Sequence, residues 1–239
     1  MSQEAILKLK EMVAKSDNIV FFGGAGVSTE SGIPDFRSVD GLYNQQYKYP
    51  PETILSHSFF ISHPDEYYDF HRAKLVIEGV KPNRAHIRLA ELEAEGKLKA
   101  VITQNIDGLH QAAGSKNVLE LHGSIHRCYC MQCGRAHDPD EMKLGKGVPR
   151  CSCGGIIRPD IVLYEESLDQ DVLAKSVHFI RNADILIVGG TSLAVYPAAG
   201  LLNYYRGNKL VLVNRSATPY DSAANLIIHE KIGDVFSQI

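Results

Sequence analysis

Nothing in the chain reads as an export signal. The opening MSQEAILKLKEMVAKSDN breaks its apolar residues with Lys and Glu, while Ile6, Leu9, Met12 and Val13 recur at helical spacing. A membrane-length apolar run is missing too. The nearest candidate, ADILIVGGTSLAVYPAAGLL, contains Asp184, Thr191, Ser192 and Pro197, which argue against a span. No block of like charges is long enough to form a basic arm, and a formal net charge of −3 gives no general attraction to nucleic acid or anionic membrane. There is no internal repeat, no low-complexity tract, and no G-x-S-x-G elbow to present a hydrolytic serine. Without an export signal, the five cysteines are expected in a reducing compartment, where clustered thiols favour metal over disulfides. The expected location is the cytoplasm.

What is present has the composition of a soluble globular enzyme, 44% hydrophobic and 22% charged over 239 residues. That length buries one large core and a small satellite. Short apolar runs recur, each ending in small or polar residues: NIVFFGG, KAVITQNID, NVLELHG, ADILIVGG and KLVLVN. They read as buried strands of a parallel sheet. Between them lie helical patterns such as NRAHIRLAELEAEGK and LDQDVLAKSVHFIRNA, so a doubly wound α/β domain is expected. Two stretches interrupt the rhythm, residues 40–80, rich in Tyr, His and Pro, and residues 124–160, which hold every cysteine. They are expected to pack together as a smaller lobe. The expected division is residues 1–39, 81–123 and 161–239 for the large domain, with 40–80 and 124–160 as the two insertions.

Ligands of open α/β sheets sit beyond the carboxyl ends of the strands, and those ends are distinctive here. In GGAGVSTESGIPDFRS, residues 23–38, the turn Gly24-Ala25-Gly26 suits a pyrophosphate at a helix N-terminus. A purely structural turn stays open, because Thr29 stands where a dinucleotide fingerprint has glycine and no strand-ending acid follows about twenty residues on. A plain turn does not need the tail Pro34-Asp35-Phe36-Arg37, whereas a loop folding over a nucleotide does. TQNID, residues 103–107, offers Gln104, Asn105 and Asp107, either as site residues or as an Asx-rich turn. His122 ends the next strand and titrates in the range of a general base, although a lone His is often structural. Gly190-Thr191-Ser192 and Asn214 end two later strands and suit phosphate or ribose.

Cys130-x-x-Cys133 is followed, after seventeen intervening residues, by Cys151-x-Cys153. Two close pairs at that interval match a structural zinc ribbon with four thiolates around one Zn2+. The tighter second pair draws on Gly154 and Gly155, and Cys128 competes with Cys130 for the register. A closed shell holds the insertion together and carries no chemistry.

The series GAGVSTESGIPDFR, TQNIDGLH, HG before the cysteine pairs, GTSLAVYP and LVN resembles sirtuins of the bacterial type, over nearly the whole chain. The resemblance implies an NAD-dependent protein-lysine deacylase, with a Rossmann-like doubly wound parallel sheet and a smaller lobe made of a zinc ribbon and a helical insertion. It implies that NAD and an extended acyl-lysine peptide meet between the lobes. By the same resemblance, Gly24, Ala25, Gly26 and Ser28 lie near the pyrophosphate, and Asp35, Phe36 and Arg37 belong to the loop that covers the cofactor. Gln104, Asn105, Ile106 and Asp107 shape the nicotinamide and ribose pocket. Gly190, Thr191 and Ser192 contact phosphate, Asn214 contacts the adenosine ribose, and Arg215 and Asp234 also bind the cofactor. His122 is the general base, with Asn105 and Asp107 as catalytic companions. In that mechanism the acyl oxygen attacks the ribose carbon as nicotinamide leaves. The products are nicotinamide, free lysine and O-acyl-ADP-ribose, so NAD is consumed.

Two departures from the family pattern bear on the substrate, for which Tyr68, His71, Val162, Leu163, Tyr164 and Glu165 are the expected contacts. Sirtuins commonly carry Phe-Gly-Glu after the ribbon, where the peptide adds as a strand; here the segment reads Ile161-Val162-Leu163-Tyr164-Glu165-Glu166, without the glycine. Backbone pairing is largely blind to side chains, so peptide binding is expected to persist. Desuccinylase-type sirtuins use Tyr-x-x-Arg, whereas Tyr68 is followed at that spacing by His71. Neutral His is a poor carboxylate partner beside Arg, so acetyl or apolar acyl groups are expected. A desuccinylase preference and a sirtuin-like ADP-ribosyltransferase remain alternatives, and a conventional NAD oxidoreductase is the more distant one. Direct nucleic-acid binding is not expected. Residues 124–160 hold Arg127, Arg135, Lys143, Lys146, Arg150 and Arg158 against Asp138, Asp140, Glu141 and Asp160, a surplus of only two charges.

Overall fold

Alternation along the apolar runs decides the architecture. The computed structural model describes residues 2–36, 41–42 and 47–239; Arg37 lies outside the described residues. The chain runs α1 (Ser2–Ala14), β1 (Ile19–Gly23), α2 (Pro51–Ile54), α3 (His57–Ser62), α4 (Pro64–Phe70), α5 (Arg84–Ala94), β2 (Leu98–Thr103), α6 (Leu109–Ala112) and β3 (Val118–Glu120). It continues through β4 (Gly123–Cys130), β5 (Ala136–His137), α7 (Pro139–Leu144), β6 (Ile157–Ile161), α8 (Gln170–Asn182), β7 (Ile185–Gly189), β8 (Leu210–Val213), β9 (Leu226–Ile228) and α9 (Ile232–Phe236).

Six strands pair in parallel in the order β3-β2-β1-β7-β8-β9. Every residue of β1, β7 and β8 is buried, as expected when helices cover both faces of a parallel sheet. Successive side chains point to opposite faces. Ile19 and Phe21 join a cluster with Leu9, Leu89, Leu92 and Phe236 from α1, α5 and α9, while Val20 and Phe22 join Ile180 of α8, Ala198 and Leu202 on the other side. The expected strands are all present. β9 has no counterpart among the runs singled out from the sequence, and its three residues LII are too short to carry a period.

The two interruptions share one cluster. Phe59, Phe60, Tyr67 and Phe70 from the Tyr- and His-rich stretch pack on Ile125, Met142 and Ile157 of the cysteine-bearing one. There β4 pairs antiparallel with β5 and β6 in a three-stranded sheet. One local expectation is corrected. After Gly24-Ala25-Gly26 the chain forms two single-turn 3-10 segments, Ala25–Val27 and Thr29–Ser31, and no full helix. Gly32 then turns left-handed at φ +92°, which ends helical hydrogen bonding before Pro34.

Candidate active site

From β1 the chain builds outward to β2 and β3, then returns to place β7 on the other side of β1. The order reverses between β1 and β7, and beyond their carboxyl ends two loops meet. Gly26 donates its N–H to the carbonyl of Gly190 at 2.8 Å. A Cβ on Gly26 would sit 2.8 Å from Gly190 Cα, and one on Gly190, at φ +59°, would sit 2.3 Å from Val27 N. Only glycines allow this approach. It leaves one side of a cleft of about 850 Å³.

The cleft collects most of the residues singled out from the sequence. Gly24, Ala25, Gly26, Ser28, Asp35 and Phe36 line it from the first loop, and Gln104, Asn105, Ile106, Asp107 and His122 from the ends of β2 and β3. Gly190, Thr191, Ser192, Asn214 and Arg215 line it from the far half, and Val162, Leu163, Tyr164 and Glu165 from the segment after β6. Tyr68, His71 and Asp234 are not among its lining residues. Tyr68 is fully buried with its hydroxyl donating to the Ile157 carbonyl. His71 is buried beside Tyr67 and Tyr68, and burial, with Arg72 adding, pushes its pKa down to about 4. Asp234 borders a separate shallow depression with Glu30, Asn83 and Ile87. An amphipathic segment shows which residues are buried but not which neighbour they face.

Ser28 is the hub of the cleft floor. Its Oγ donates to Asp107 Oδ2 at 2.6 Å and accepts from Asn105 Nδ2 at 3.0 Å. Asp107 Oδ1 accepts the Leu109 N–H at 2.9 Å, so the turn that Asp107 caps also orients its carboxylate. Behind Ser28 stands His86, whose Nδ1 accepts the Asn83 N–H in a capping box at the start of α5. Its Nε2 therefore carries the proton and points at Ser28 Oγ from 3.5 Å. Burial holds the His86 pKa at about 4 against the pull of Asp107. Asn83 also ties down the loop through the Val27 carbonyl at 2.7 Å and Ser31 Oγ at 3.0 Å. The Asn-x-x-His spacing before a helix is a readable cap signal, but its target loop is not readable.

His122 is half-buried, and its Nδ1–H donates to the Gln104 carbonyl at 2.9 Å. That bond fixes the tautomer and leaves Nε2 as the basic nitrogen. Burial pushes its pKa below 6.5, with the hydrogen bond opposing, so the ring is neutral at pH 7.

Residues 162–165 are clipped to the smaller lobe. Tyr164 donates its N–H to Leu55 O at 2.9 Å and accepts from His57 N at 3.0 Å. Val162 N–H goes to His122 O at 3.0 Å and Leu163 N–H to Glu166 Oε2 at 2.9 Å. The Val162 carbonyl and the N–H and carbonyl of Glu165 make no hydrogen bond among the described residues. They leave an open backbone edge on the cleft wall. Glu166, whose role the sequence reading missed, pairs with Arg158 through bonds of 2.7 and 3.0 Å and accepts from His57 Nδ1 at 2.8 Å.

The Sγ atoms of Cys130, Cys133, Cys151 and Cys153 all lie within 4.8 Å of one another, with Cys130 3.5 Å from Cys153 and Cys133 3.8 Å from Cys151. Four thiolates about 2.3 Å from a tetrahedral Zn2+ are separated by about 3.8 Å, so this donor set fits one zinc ion. The fifth thiol is elsewhere, with Cys128 Sγ donating to the His137 carbonyl at 3.0 Å. That settles the register in favour of Cys130. Gly155 packs so close that a Cβ would lie 2.7 Å from Cys130 Sγ, and Gly154 is left-handed at φ +89°. These two residues let the short C-x-C knuckle close.

The Sir2 family model matches residues 24–197. An NAD-dependent protein deacetylase of Clostridium acetobutylicum is 57% identical, with the alignment covering 99% of this chain and 98% of that protein. A Sir2 structure with p53 peptide and NAD+ superposes with a TM-score of 0.87 at 41% identity, covering 97% of this chain and 95% of that one. Another, with deacetylated p53 peptide and 3'-O-acetyl ADP ribose, gives a TM-score of 0.89 at 40% identity over 98% of this chain and 96% of that one. A glycine-built turn, a tautomer-fixed histidine and a four-cysteine cluster thus stand on a backbone shared with those enzymes, and the chain belongs to the Sir2, or sirtuin, family.

Proposed function

We propose that this protein is an NAD-dependent protein-lysine deacetylase that moves the acyl group from lysine to ADP-ribose, releasing nicotinamide and O-acyl-ADP-ribose. One observation carries the reading: His122, with Nε2 free as a base, stands in the same cleft as the Gly24-to-Ser28 turn and the open edge at residues 162–165. NAD, consumed as co-substrate, supplies the ribose carbon to which the acyl oxygen attaches. Gly24, Ala25, Gly26 and Ser28 hold its pyrophosphate, with Gly190, Thr191 and Ser192 on the other side and Asn214 and Arg215 toward the adenosine. Gln104, Asn105, Ile106 and Asp107 bound the nicotinamide end, with Asp35 and Phe36 over it. His122 Nε2 takes a proton from the ribose hydroxyls. The Gln104 carbonyl holds the ring and stabilises the imidazolium as it forms.

The acyl-lysine peptide adds as a strand to the open groups of Val162 and Glu165. Acetyl or apolar acyl chains suit the cleft, whose wall includes Leu42, Leu75, Ile77 and Val80 while neutral His71 is buried outside it. Zinc bound by Cys130, Cys133, Cys151 and Cys153 supplies a structural cross-link. We assign residues 1–39, 81–123 and 161–239 to the NAD-binding domain and 40–80 with 124–160 to the smaller lobe. Among the described residues no helix is long and apolar enough to cross a membrane. We place the protein in the cytoplasm, because a four-thiolate shell needs reduced cysteines. The test is incubation with NAD and acyl-lysine peptides followed by mass spectrometry. Deacylated peptide and O-acyl-ADP-ribose in equal amounts are expected, and their absence would refute the reading.

A further inference from the structure

We infer that Glu165 is a specificity residue that favours peptides with a Lys or Arg side chain beside the acyl-lysine. The inference rests on the deacetylase reading, in which residues 162–165 form the edge that a peptide pairs with.

Position comes first. Glu165 contributes an open N–H and an open carbonyl to that edge, so a strand pairing there runs past its side chain. Successive side chains of an added strand project to opposite faces, so a neighbour of the acyl-lysine passes the carboxylate in either register.

Orientation comes second. Glu165 holds φ +75°, a left-handed backbone that disfavours any residue with a Cβ and suits glycine. Gly79, Gly96 and Gly108 adopt similar values elsewhere in this chain. The carboxylate is held in place, with Oε2 accepting the Ser58 N–H at 2.9 Å and Oε1 the Ser58 hydroxyl at 3.0 Å. A charged side chain therefore occupies a backbone conformation that glycine would adopt freely, and two fixed bonds set its direction.

Charge comes third. Both Ser58 donors are neutral, and no Lys, Arg or His of the described residues pairs with this carboxylate. The adjacent Glu166 is neutralised by Arg158. Glu165 thus presents an uncompensated negative charge at the exposed rim of the cleft. A carboxylate with two hydrogen bonds keeps lone-pair capacity for a third donor, and a peptide ammonium or guanidinium supplies it.

The test uses acetyl-lysine peptides in which each of the two positions on either side of the lysine carries Arg or Glu. The readout is the ratio of kcat/KM for the Arg peptide over the Glu peptide. For the unmodified protein at low salt, the ratio at one flanking position should exceed one by roughly two- to fivefold, the range an exposed ion pair supports, and should shrink as salt rises. Glu165→Gln should bring the ratio to about one, and Glu165→Lys should invert it. Inversion is not produced by a merely structural role. Turnover with the same ratio in all three proteins would overturn this inference alone. No turnover of any peptide by the unmodified protein would overturn the deacetylase reading and the inference with it.

Discussion

Glu166→Gln isolates the ion pair that fastens residues 162–165 to the smaller lobe. In the native protein, Glu166 accepts four hydrogen bonds: two from Arg158, at 2.7 and 3.0 Å, one from His57 at 2.8 Å and one from the Leu163 N–H at 2.9 Å. The Arg158 and Glu166 side chains are 7% and 19% exposed, so this is a largely desolvated pair. The substitution keeps the shape, removes the charge and replaces one acceptor oxygen with a donor. Arg158 is then left as a buried cation, bonded to the Ile161 carbonyl and stacked 5.3 Å from the Phe60 ring. Breaking a buried pair from one side costs about 3–5 kcal/mol. The partial exposure of Glu166 favours the lower end, and about 3 kcal/mol lowers Tm by roughly 6–12 °C in a domain of this size. Thermal unfolding by circular dichroism measures the shift. The double variant Arg158→Met with Glu166→Gln should recover at least half of it, because no orphan charge remains. Burial alone would raise the Glu166 pKa, but Arg158, the Leu163 amide and His57 hold it at about 2 against an ordinary 4.5. The folded-state pKa is depressed, so this stabilisation is present above pH 4.5 and is lost as pH falls toward 2. The gap between native protein and variant should therefore close over that window. Because Glu166 also holds Leu163, KM for peptide should rise more than KM for NAD. A Tm shift below about 2 °C, unchanged by acid, would refute the reasoning.

Four further outcomes follow from the cleft and the ribbon. His122→Ala should reduce acyl-lysine turnover by at least about a hundredfold, the low end of general-base contributions, with Tm little changed; turnover within tenfold of native would remove His122 from the mechanism. Since burial lowers the His122 pKa from its ordinary value, kcat/KM should fall only under acid, where the ring protonates; a decline centred above pH 7 would contradict the half-buried, neutral base. Gly190→Ala should raise KM for NAD sharply, because its Cβ would lie 2.3 Å from Val27 N at φ +59°; an unchanged KM would mean the two loops do not share the pyrophosphate. Cys130→Ala or Cys151→Ala should abolish stoichiometric zinc in elemental analysis and reduce solubility, since both side chains are buried in the cluster that unites the two insertions; a soluble, fully active, zinc-free variant would show the cross-link to be dispensable.

Much of this protein follows from short-range chemistry. Five apolar runs fell on five strands because buried parallel strands need nothing beyond local sequence to be visible. The two cysteine pairs identified the zinc shell because ligand spacing along a knuckle is itself a local constraint. The glycine turn and His122 were legible as strand-end features, since an α/β sheet gathers such ends on one side. Other properties arise only when distant segments meet. Whether Cys128 or Cys130 binds metal depended on the carbonyl of His137 being within reach of Cys128. Tyr68 and His71 carry a substrate-like spacing, yet the Ile157 carbonyl and the aromatic cluster take them away from the cleft. The partners of His86 and Glu166 could not be read from the sequence, because tertiary packing alone supplies them: Ser28, 58 positions away, and Arg158, eight positions away. Sequence determined which local conformations and ligand sets were available; the tertiary structure decided which of them face one another, because burial and charge pairing are set by neighbours distant along the chain.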